Sequence, residues 1–285
     1  MVNTNTKWLS TTGIHEAGVL RRINGIGLTE PLNVYDLILK MGLELRFQDL
    51  PSLDGMYFKD TNPLIIVSSL RPLGRKSFTI AHEIAHHYFD HGNVVDEVKD
   101  ETDKFQPEEY LADIFAGSLL MTKTAICNTC KLRKWNASVL NPIQLFTLSC
   151  FFGVGYETLI NHMLYTAKLL RKENSVALLR AKVKNIKQSI IGEECTTGLT
   201  IIDEFWRMDN IDIEVGDLVL LPHNSSALSD NAMFIKTINE GMLYKVTKPG
   251  IINITINGII DAVNLRIMRK NYIGRSIYKN LEEVE

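Results

Sequence analysis

The sequence has little of what marks a membrane-spanning, secreted or nucleic-acid-binding chain. Acidic and basic side chains nearly balance, 33 against 31, so a net charge of −2 favours neither a lipid surface nor a phosphate backbone as partner. No stretch approaches the ~18 apolar residues that a membrane-spanning helix requires. The opening residues, MVNTNTKWLSTTG, lack the apolar core of a signal peptide. We therefore expect a cytoplasmic protein with no membrane partner.

Cysteine is also sparse, and this agrees with a reduced compartment. The four cysteines are Cys127, Cys130, Cys150 and Cys195, too few and too scattered for a disulfide framework. The one close pair, Cys127-x-x-Cys130, lacks the two further ligands at matching spacing that a structural zinc site needs. We expect these thiols to carry no metal.

The alternation of apolar and turn residues predicts an α+β fold. Helical spacing of apolar residues ends at Gly42, three short β-favouring runs follow over 43–69, and helices are predicted over most of 124–190. After Gly192 the chain changes to short β-favouring runs separated by turn residues. The predicted parts are an N-terminal arm (1–30), a mixed domain (31–170), a helical linker (171–191) and a C-terminal antiparallel β-rich domain for sensing or docking (192–285).

The stretch KSFTIAHEIAHHYFDHG holds four of the seven histidines. His82 and His86 frame an H-E-x-x-H pattern, and residues four apart lie on one face of a helix. Two imidazoles can thus face one ion, while Glu83 lies beside them, where it can act as a base on water. Ser77 or Thr79 is expected to cap the start of this helix, after a polar turn LRPLGRKS.

A second histidine pair, His87 and His91, has the same spacing but no glutamate in the base position. His87 points about 100° away from His86 around the helix. His91 falls where Gly92 is expected to end the helix. We expect neither to contact a metal directly; His91 is a candidate for contact with the helix C-terminus or with substrate.

A catalytic zinc needs a third protein ligand, and the segment PEEYLADIFAGSLLM offers one. Glu109 and Asp113 share a helical face with small residues that would allow a close approach to the histidine helix. Glu109 is the favoured ligand, and Asp113 could accept the outer N–H of a ligand histidine. Glu108 is the rival ligand, but it has no such companion four residues on. The alternative is that these acids only stabilise a helix N-terminus.

These residues resemble the ImmA/IrrE family of metallopeptidases, whose pattern is R-x-x-F-T-x-A-H-E-x-x-H followed by E-x-x-A-N/D-x-F-A-x-x-L-L-M. The resemblance covers roughly residues 25–165. It implies a zincin-like fold with Zn²⁺, or alternatively Mn²⁺, held by His82, His86 and Glu109 in the manner of gluzincins. Two departures are Thr122, where proline is usual after L-L-M, and Asp113, where asparagine is commoner.

The resemblance also implies a narrow protein substrate. Relatives cleave helix-turn-helix repressors and thereby derepress stress or mobile-element genes. The sequence is thus interpreted as a zinc endopeptidase with Glu83 as the catalytic base. Tyr88, Tyr110 and His91 are unranked candidates for contacts with the transition state or substrate.

Two alternatives remain open at the level of sequence. The protein could be a non-catalytic, metal-stabilised regulatory module or a toxin–antitoxin partner, although the intact Glu83 argues for catalysis. The segment from Lys168 to Lys187 carries seven basic residues against one glutamate. It is a candidate nucleic-acid surface, with a solvated connecting helix as the plainer interpretation.

Overall fold

The computed structural model describes residues 3–97, 105–223, 225, 230–256 and 263–281. It begins with helix α1 (Asn3–Ile23), where the sequence predicted an arm. The sequence did not predict this helix, which is held in place by contacts with α4 (Pro107–Leu120). A Cβ at Gly13 would lie 2.9 Å from Cγ2 of Ile114, so the two helices approach closely there. The buried guanidinium of Arg21 donates to the carbonyl oxygens of Leu119 and Gly27.

The next part of the chain forms a sheet covered by a helix, largely as predicted. Asn33 caps α2 through its side chain, and Gly42 ends it at φ 69°. Strands β1 and β3 pair in parallel, while β2 pairs antiparallel with both β3 and β4. The elements are α2 (Val34–Met41), β1 (Glu44–Gln48), β2 (Leu53–Phe58), β3 (Leu64–Ser68), α3 (Leu73–Tyr88) and β4 (Val94–Glu97).

A helical part of the chain follows, in which α4 packs on α3 and α6 packs on α7 and α9. Asn141 and Gln144 form a reciprocal capping box at the start of α6, and Gly153 ends that helix at φ 62°. The helices are α4 (Pro107–Leu120), α5 (Lys123–Leu132), α6 (Pro142–Phe152), α7 (Tyr156–Asn161) with a π turn (His162–Thr166), α8 (Lys172–Arg180) and α9 (Val183–Ile191).

One helical run in the described part of the chain meets the length and composition of a membrane span, or two if a sharply bent pair is counted as one span. The run Pro107–Leu132 does so alone, and Pro142–Phe152 with Tyr156–Thr166 does so only as a pair bent by 100°. Of the most apolar window in the first run, 61% is buried inside the structure. Its apolar character is therefore accounted for by packing in the core.

The C-terminal part is β-rich, as predicted, but its two sheets are mixed rather than antiparallel. One sheet has the order β10-β11-β6 and the other β5-β7-β9-β8. The pairs β6–β11 and β5–β7 are parallel. The strands are β5 (Leu199–Ile201), β6 (Asn210–Glu214), β7 (Leu218–Leu221), β8 (Ala232–Ile238), β9 (Gly241–Val246), β10 (Gly250–Ile254), β11 (Val263–Met268) and β12 (Gly274–Arg275), before a 3-10 turn (Ser276–Tyr278).

The last strand returns to the first sheet. β12 pairs with β1, which gives the sheet order β12-β1-β3-β2-β4. A C-terminal strand thus extends the sheet that supports α3. The domain boundaries at 31, 171 and 192 stay predictions. The shared sheet joins a strand of the predicted C-terminal domain to strands of the predicted mixed domain.

A buried ionic cluster also links the C-terminal strands to α2 and α3. Lys76 of α3 is 1% exposed and pairs with Glu214 of β6. Asp212 accepts from Arg266 at 2.5 Å and from Lys279 at 2.6 Å. Each buried charge here has an opposite charge beside it, which is the condition under which buried charges are tolerated.

Candidate metal centre

Helix α3 positions the H-E-x-x-H residues on the sheet. It begins at Leu73, with Pro72 at the N-cap and no side-chain cap. The predicted caps Ser77 and Thr79 are therefore wrong, because the expected polar turn is already the first turn of the helix. Asp54 of β2 stabilises this turn by accepting from Arg71 at 2.6 Å and from Arg75 at 2.8 Å.

Helix α4 packs directly on α3, as its small residues predicted. Ala112 and Ala116 are fully buried between the helices. Their methyl groups let the two backbones approach closely, which brings Glu109 on the first turn of α4 to the histidine face of α3. Glu108, the rival ligand, is exposed in the same turn.

Three donor groups converge at this contact. The Nε2 atoms of His82 and His86 are 3.0 Å apart. Glu109 places Oε2 3.4 Å from the His82 nitrogen and Oε1 3.4 Å from the His86 nitrogen. Zinc bonds of ~2.0–2.1 Å at tetrahedral angles imply donor–donor edges of about 3.3 Å. Each oxygen of Glu109 thus faces a different histidine, and the three side chains are close enough together to hold one zinc ion.

The nitrogen-rich donor set also favours zinc over a harder cation such as Mg²⁺ or Ca²⁺. Two imidazoles with one carboxylate are the ligands of many catalytic zinc sites, in which a fourth position is left open. Within the described part of the chain, the potential metal ligands whose donor atoms lie close together are His82, His86 and Glu109. The four cysteines are all free thiols.

The outer nitrogens of both histidines are also engaged. Nδ1 of His82 lies 2.9 Å from Oδ1 of Asp113, the partner that the sequence proposed. Nδ1 of His86 lies 2.9 Å from Nδ1 of His91. This second contact was not anticipated as a bond to a ligand histidine. Its sequence signal was the histidine placed just beyond the end of the helix.

The charges and the burial around the two imidazoles shift their pKa values in opposite directions. Burial lowers the pKa of His82, but hydrogen bonds to Asp113 and Glu109 outweigh it and raise that pKa to about 10. Burial, together with the adjacent His82, lowers the pKa of His86 to about 3. The pocket thus stabilises one positive charge beside its carboxylates while keeping the second imidazole neutral.

Glu83 is fully buried between α3 and strand β2. A Cβ on Gly55 of β2 would lie 2.6 Å from Oε1 of Glu83 and 2.5 Å from Cγ2 of Thr79. Only glycine leaves room for the carboxylate at this point of the strand. The Glu83 charge also acts on His82, whose pKa it helps to raise.

The two tyrosine candidates for substrate contact bond to α1. The Tyr88 hydroxyl donates to Glu16 of α1 at 2.6 Å, and the Tyr110 hydroxyl lies 2.9 Å from that of Ser10. Both phenols are engaged with α1, so this placement adds no support to a role in the transition state. His87 bonds to the Tyr57 hydroxyl through Nδ1 at 2.8 Å, a contact that the sequence did not indicate.

The basic segment Lys168–Lys187 spans α8, α9 and the turns beside them. Lys187 is buried, and its amine donates to the carbonyl oxygen of Thr197. Lys184 forms an ion pair with Glu194. The segment therefore offers fewer free cations to nucleic acid than its composition suggests, and a nucleic-acid surface there stays a prediction.

A cavity of about 660 Å³ lies between the start of α3, the α6–α7 turn and the C-terminal strands. Leu73, Trp206 and Glu214 are among its lining residues. None of the three converging donors lines this cavity, and neither does Glu83. The metal centre and the cavity are separate features of the molecule.

The helix with two histidine donors and the glutamate from a second helix are the features of a metallopeptidase-like domain. Residues 39–164 match the family model of the IrrE N-terminal-like domain, Peptidase_M78. The match confirms the resemblance drawn from the motifs. A comparison with curated proteins finds no match.

One solved structure, a Mycobacterium tuberculosis transcriptional regulator, is similar at 19% identity with a TM-score of 0.37. The likeness covers 58% of this chain and 49% of that chain, about half its length. A likeness this weak carries no functional information.

The two departures from the family pattern have local explanations. Thr122 caps α5 by accepting from the Ala125 amide at 2.9 Å, and its hydroxyl donates to the carbonyl oxygen of Leu28. Proline could start the helix but could not make these two bonds. Asp113 bonds to His82 through a carboxylate oxygen, and the side-chain oxygen of an asparagine could accept the same hydrogen bond.

Proposed function

We propose that the protein is a zinc-dependent endopeptidase. The observation that carries the proposal is the convergence of two imidazole nitrogens and one carboxylate within 3.0–3.4 Å of one another, with a buried carboxylate on the next residue of the same helix. His82, His86 and Glu109 would hold the ion. A bound zinc supplies Lewis acidity, which lowers the pKa of water and polarises the scissile carbonyl.

The other steps fall to residues of the chain. Glu83, held against Gly55, takes a proton from the attacking water and delivers it to the leaving amine. Asp113 holds the ring of His82 through its outer nitrogen. A structural metal site would have no need of a base at position 83, so the buried Glu83 favours catalysis over a regulatory module that only binds.

The proposed substrate is a cytoplasmic helix-turn-helix repressor, whose cleavage would derepress stress or mobile-element genes. This part of the proposal is supported by the family resemblance of residues 39–164. Localisation in the cytoplasm belongs to the same proposal, as does a docking or sensing role for the C-terminal strands.

Cleavage of a defined partner tests the proposal. Any helix-turn-helix protein encoded beside the gene for this chain is incubated with it, with and without a chelator, and fragments are identified by mass spectrometry. We expect one or a few fragments without the chelator, none with it, and recovery when zinc is restored. A regulatory effect on the repressor that persists in chelator with no fragments would instead favour a contact-only module.

A further inference from the structure

The turn that ends α3 ties His91 to a ligand of the proposed metal site. Asp90 adopts the left-handed conformation at φ 59°. Its amide donates to the carbonyl oxygen of His87, and the amide of His91 donates to that of His86 at 3.1 Å. This pair of bonds is a Schellman motif. His86 thus fixes the backbone of His91 through its carbonyl oxygen, and the side chains of the same two residues are also in contact.

The imidazole of His91 is held on two sides. Its Nδ1 lies 2.9 Å from Nδ1 of His86. Its ring stacks on Phe89 with centroids 5.7 Å apart at 17°, and Phe89 in turn packs edge-on against Phe115 of α4. Through Phe89, the contact between His86 and His91 is connected to the buried packing between α3 and α4.

The position of the protons follows from the chemistry of imidazole. A neutral imidazole that offers Nε2 to a metal carries its proton on Nδ1 and donates there. His86 must then donate from Nδ1, and the atom facing it is Nδ1 of His91, which has to accept. His91 accordingly carries its own proton on Nε2.

We propose that His91 is a positioning residue, which fixes the tautomer and ring orientation of His86 as Asp113 does for His82. This inference rests on the proposed metal site. When the hydrogen-bond partner of a metal-binding histidine is removed, metal affinity typically falls by ~10–100-fold. In this chain one ligand has an acidic partner on α4, and the other has an imidazole supplied by the end of its own helix.

Zinc affinity of the metal-free protein, measured by competition with a chromophoric chelator, tests the inference without reference to catalysis. His91→Leu is expected to weaken zinc binding by about 10–100-fold. His91→Asn should stay close to wild type, because an asparagine oxygen can occupy the position of Nδ1 and accept the same proton. His87→Leu is the matched control, since His87 bonds to Tyr57 instead, and it should bind zinc as wild type does.

A second pair of variants tests the turn itself. Asp90→Gly and Asp90→Val both remove the ion pair with Lys59, but only glycine readily adopts the left-handed conformation. The valine variant should bind zinc more weakly than the glycine variant. Urea unfolding of each metal-free variant shows whether a loss of affinity is accompanied by a loss of folding.

The outcomes separate the inference from the proposed function. Wild-type affinity in a folded His91→Leu protein would overturn the inference, and so would a His91→Asn variant as weak as His91→Leu. If His91→Leu does not fold, the Asp90 pair decides: equal zinc affinity in its two members overturns the inference. Wild-type protein that binds no zinc would overturn the metal site itself.

Discussion

Two buried polar clusters lie at different points along α3, and they differ in how their charges are compensated. Near the start of the helix, Lys76 pairs with Glu214, and Asp212 with Arg266 and Lys279, so that protein cations face protein anions. Farther along, two imidazole nitrogens and the carboxylate of Glu109 converge as donor atoms on one point. The first cluster is complete without a ligand, whereas the second has the composition of a metal site.

The difference between the two clusters shows that burial of polar side chains does not by itself identify a metal site. Both clusters hold polar side chains that are largely buried. The second cluster is marked as a place for a cation by the type of its donor atoms and by their closeness to one another. The first is better understood as the contact that holds α3 against the C-terminal strands. Substitutions in the two clusters should therefore affect different measurements.

The largest effect is expected for Glu109→Ala, which removes one of the three donors. Zinc affinity should fall by more than the ~10–100-fold that follows loss of an outer partner, and cleavage should disappear. Metal content per chain after dialysis measures this. Glu108→Ala is the matched control on the same turn of α4 and should retain zinc. Equal retention by both variants would remove Glu109 from the site.

A large effect on stability, with little on metal binding, is expected for Lys76→Met. It leaves Glu214 buried without its cation, which should lower the free energy of unfolding by about 3–5 kcal/mol. Urea denaturation of metal-free protein measures the change. The double variant Lys76→Met/Glu214→Leu removes both charges and should recover most of the loss. Zinc affinity that fell with stability in the single variant would show that the two clusters are not independent.

A smaller effect is expected for Asp113→Ala. Asp113 bonds to His82 at 2.9 Å but is 49% exposed on its side chain, so water can partly replace it. We expect zinc affinity to fall toward the lower end of the ~10–100-fold range. Asp113→Asn keeps an acceptor oxygen at the same place and should lose less. A loss in Asp113→Asn equal to that in Asp113→Ala would show that charge, rather than the hydrogen bond, is what His82 requires.

The contacts that could be predicted from the sequence were those set by local geometry. His82 and His86 share a face because of the helical repeat, and Glu109 was found through the small residues around it on α4. Asp113 followed from the same periodicity. The strands before α3 and the end of α2 at Gly42 likewise depend on residues close in the chain.

The contacts that were missed depend on distant parts of the chain or on one unusual backbone angle. Strand β12 joins the first sheet from the far end of the sequence, and no local pattern indicates its partner. Helix α1 is placed by its contact with α4. The bond from His91 to His86 requires a left-handed aspartate at position 90, where a glycine would have been the expected signal.

Cleavage by Glu83→Gln protein loaded with the same amount of zinc as wild type tests the central claim most directly. Glutamine is close to glutamate in size but cannot take the proton from water, so zinc should stay bound while fragments of the helix-turn-helix repressor disappear. Zinc per chain and fragment mass are measured on the same samples. Normal cutting by the Glu83→Gln variant at full zinc content, or no cutting of the repressor by zinc-loaded wild type, would contradict the account.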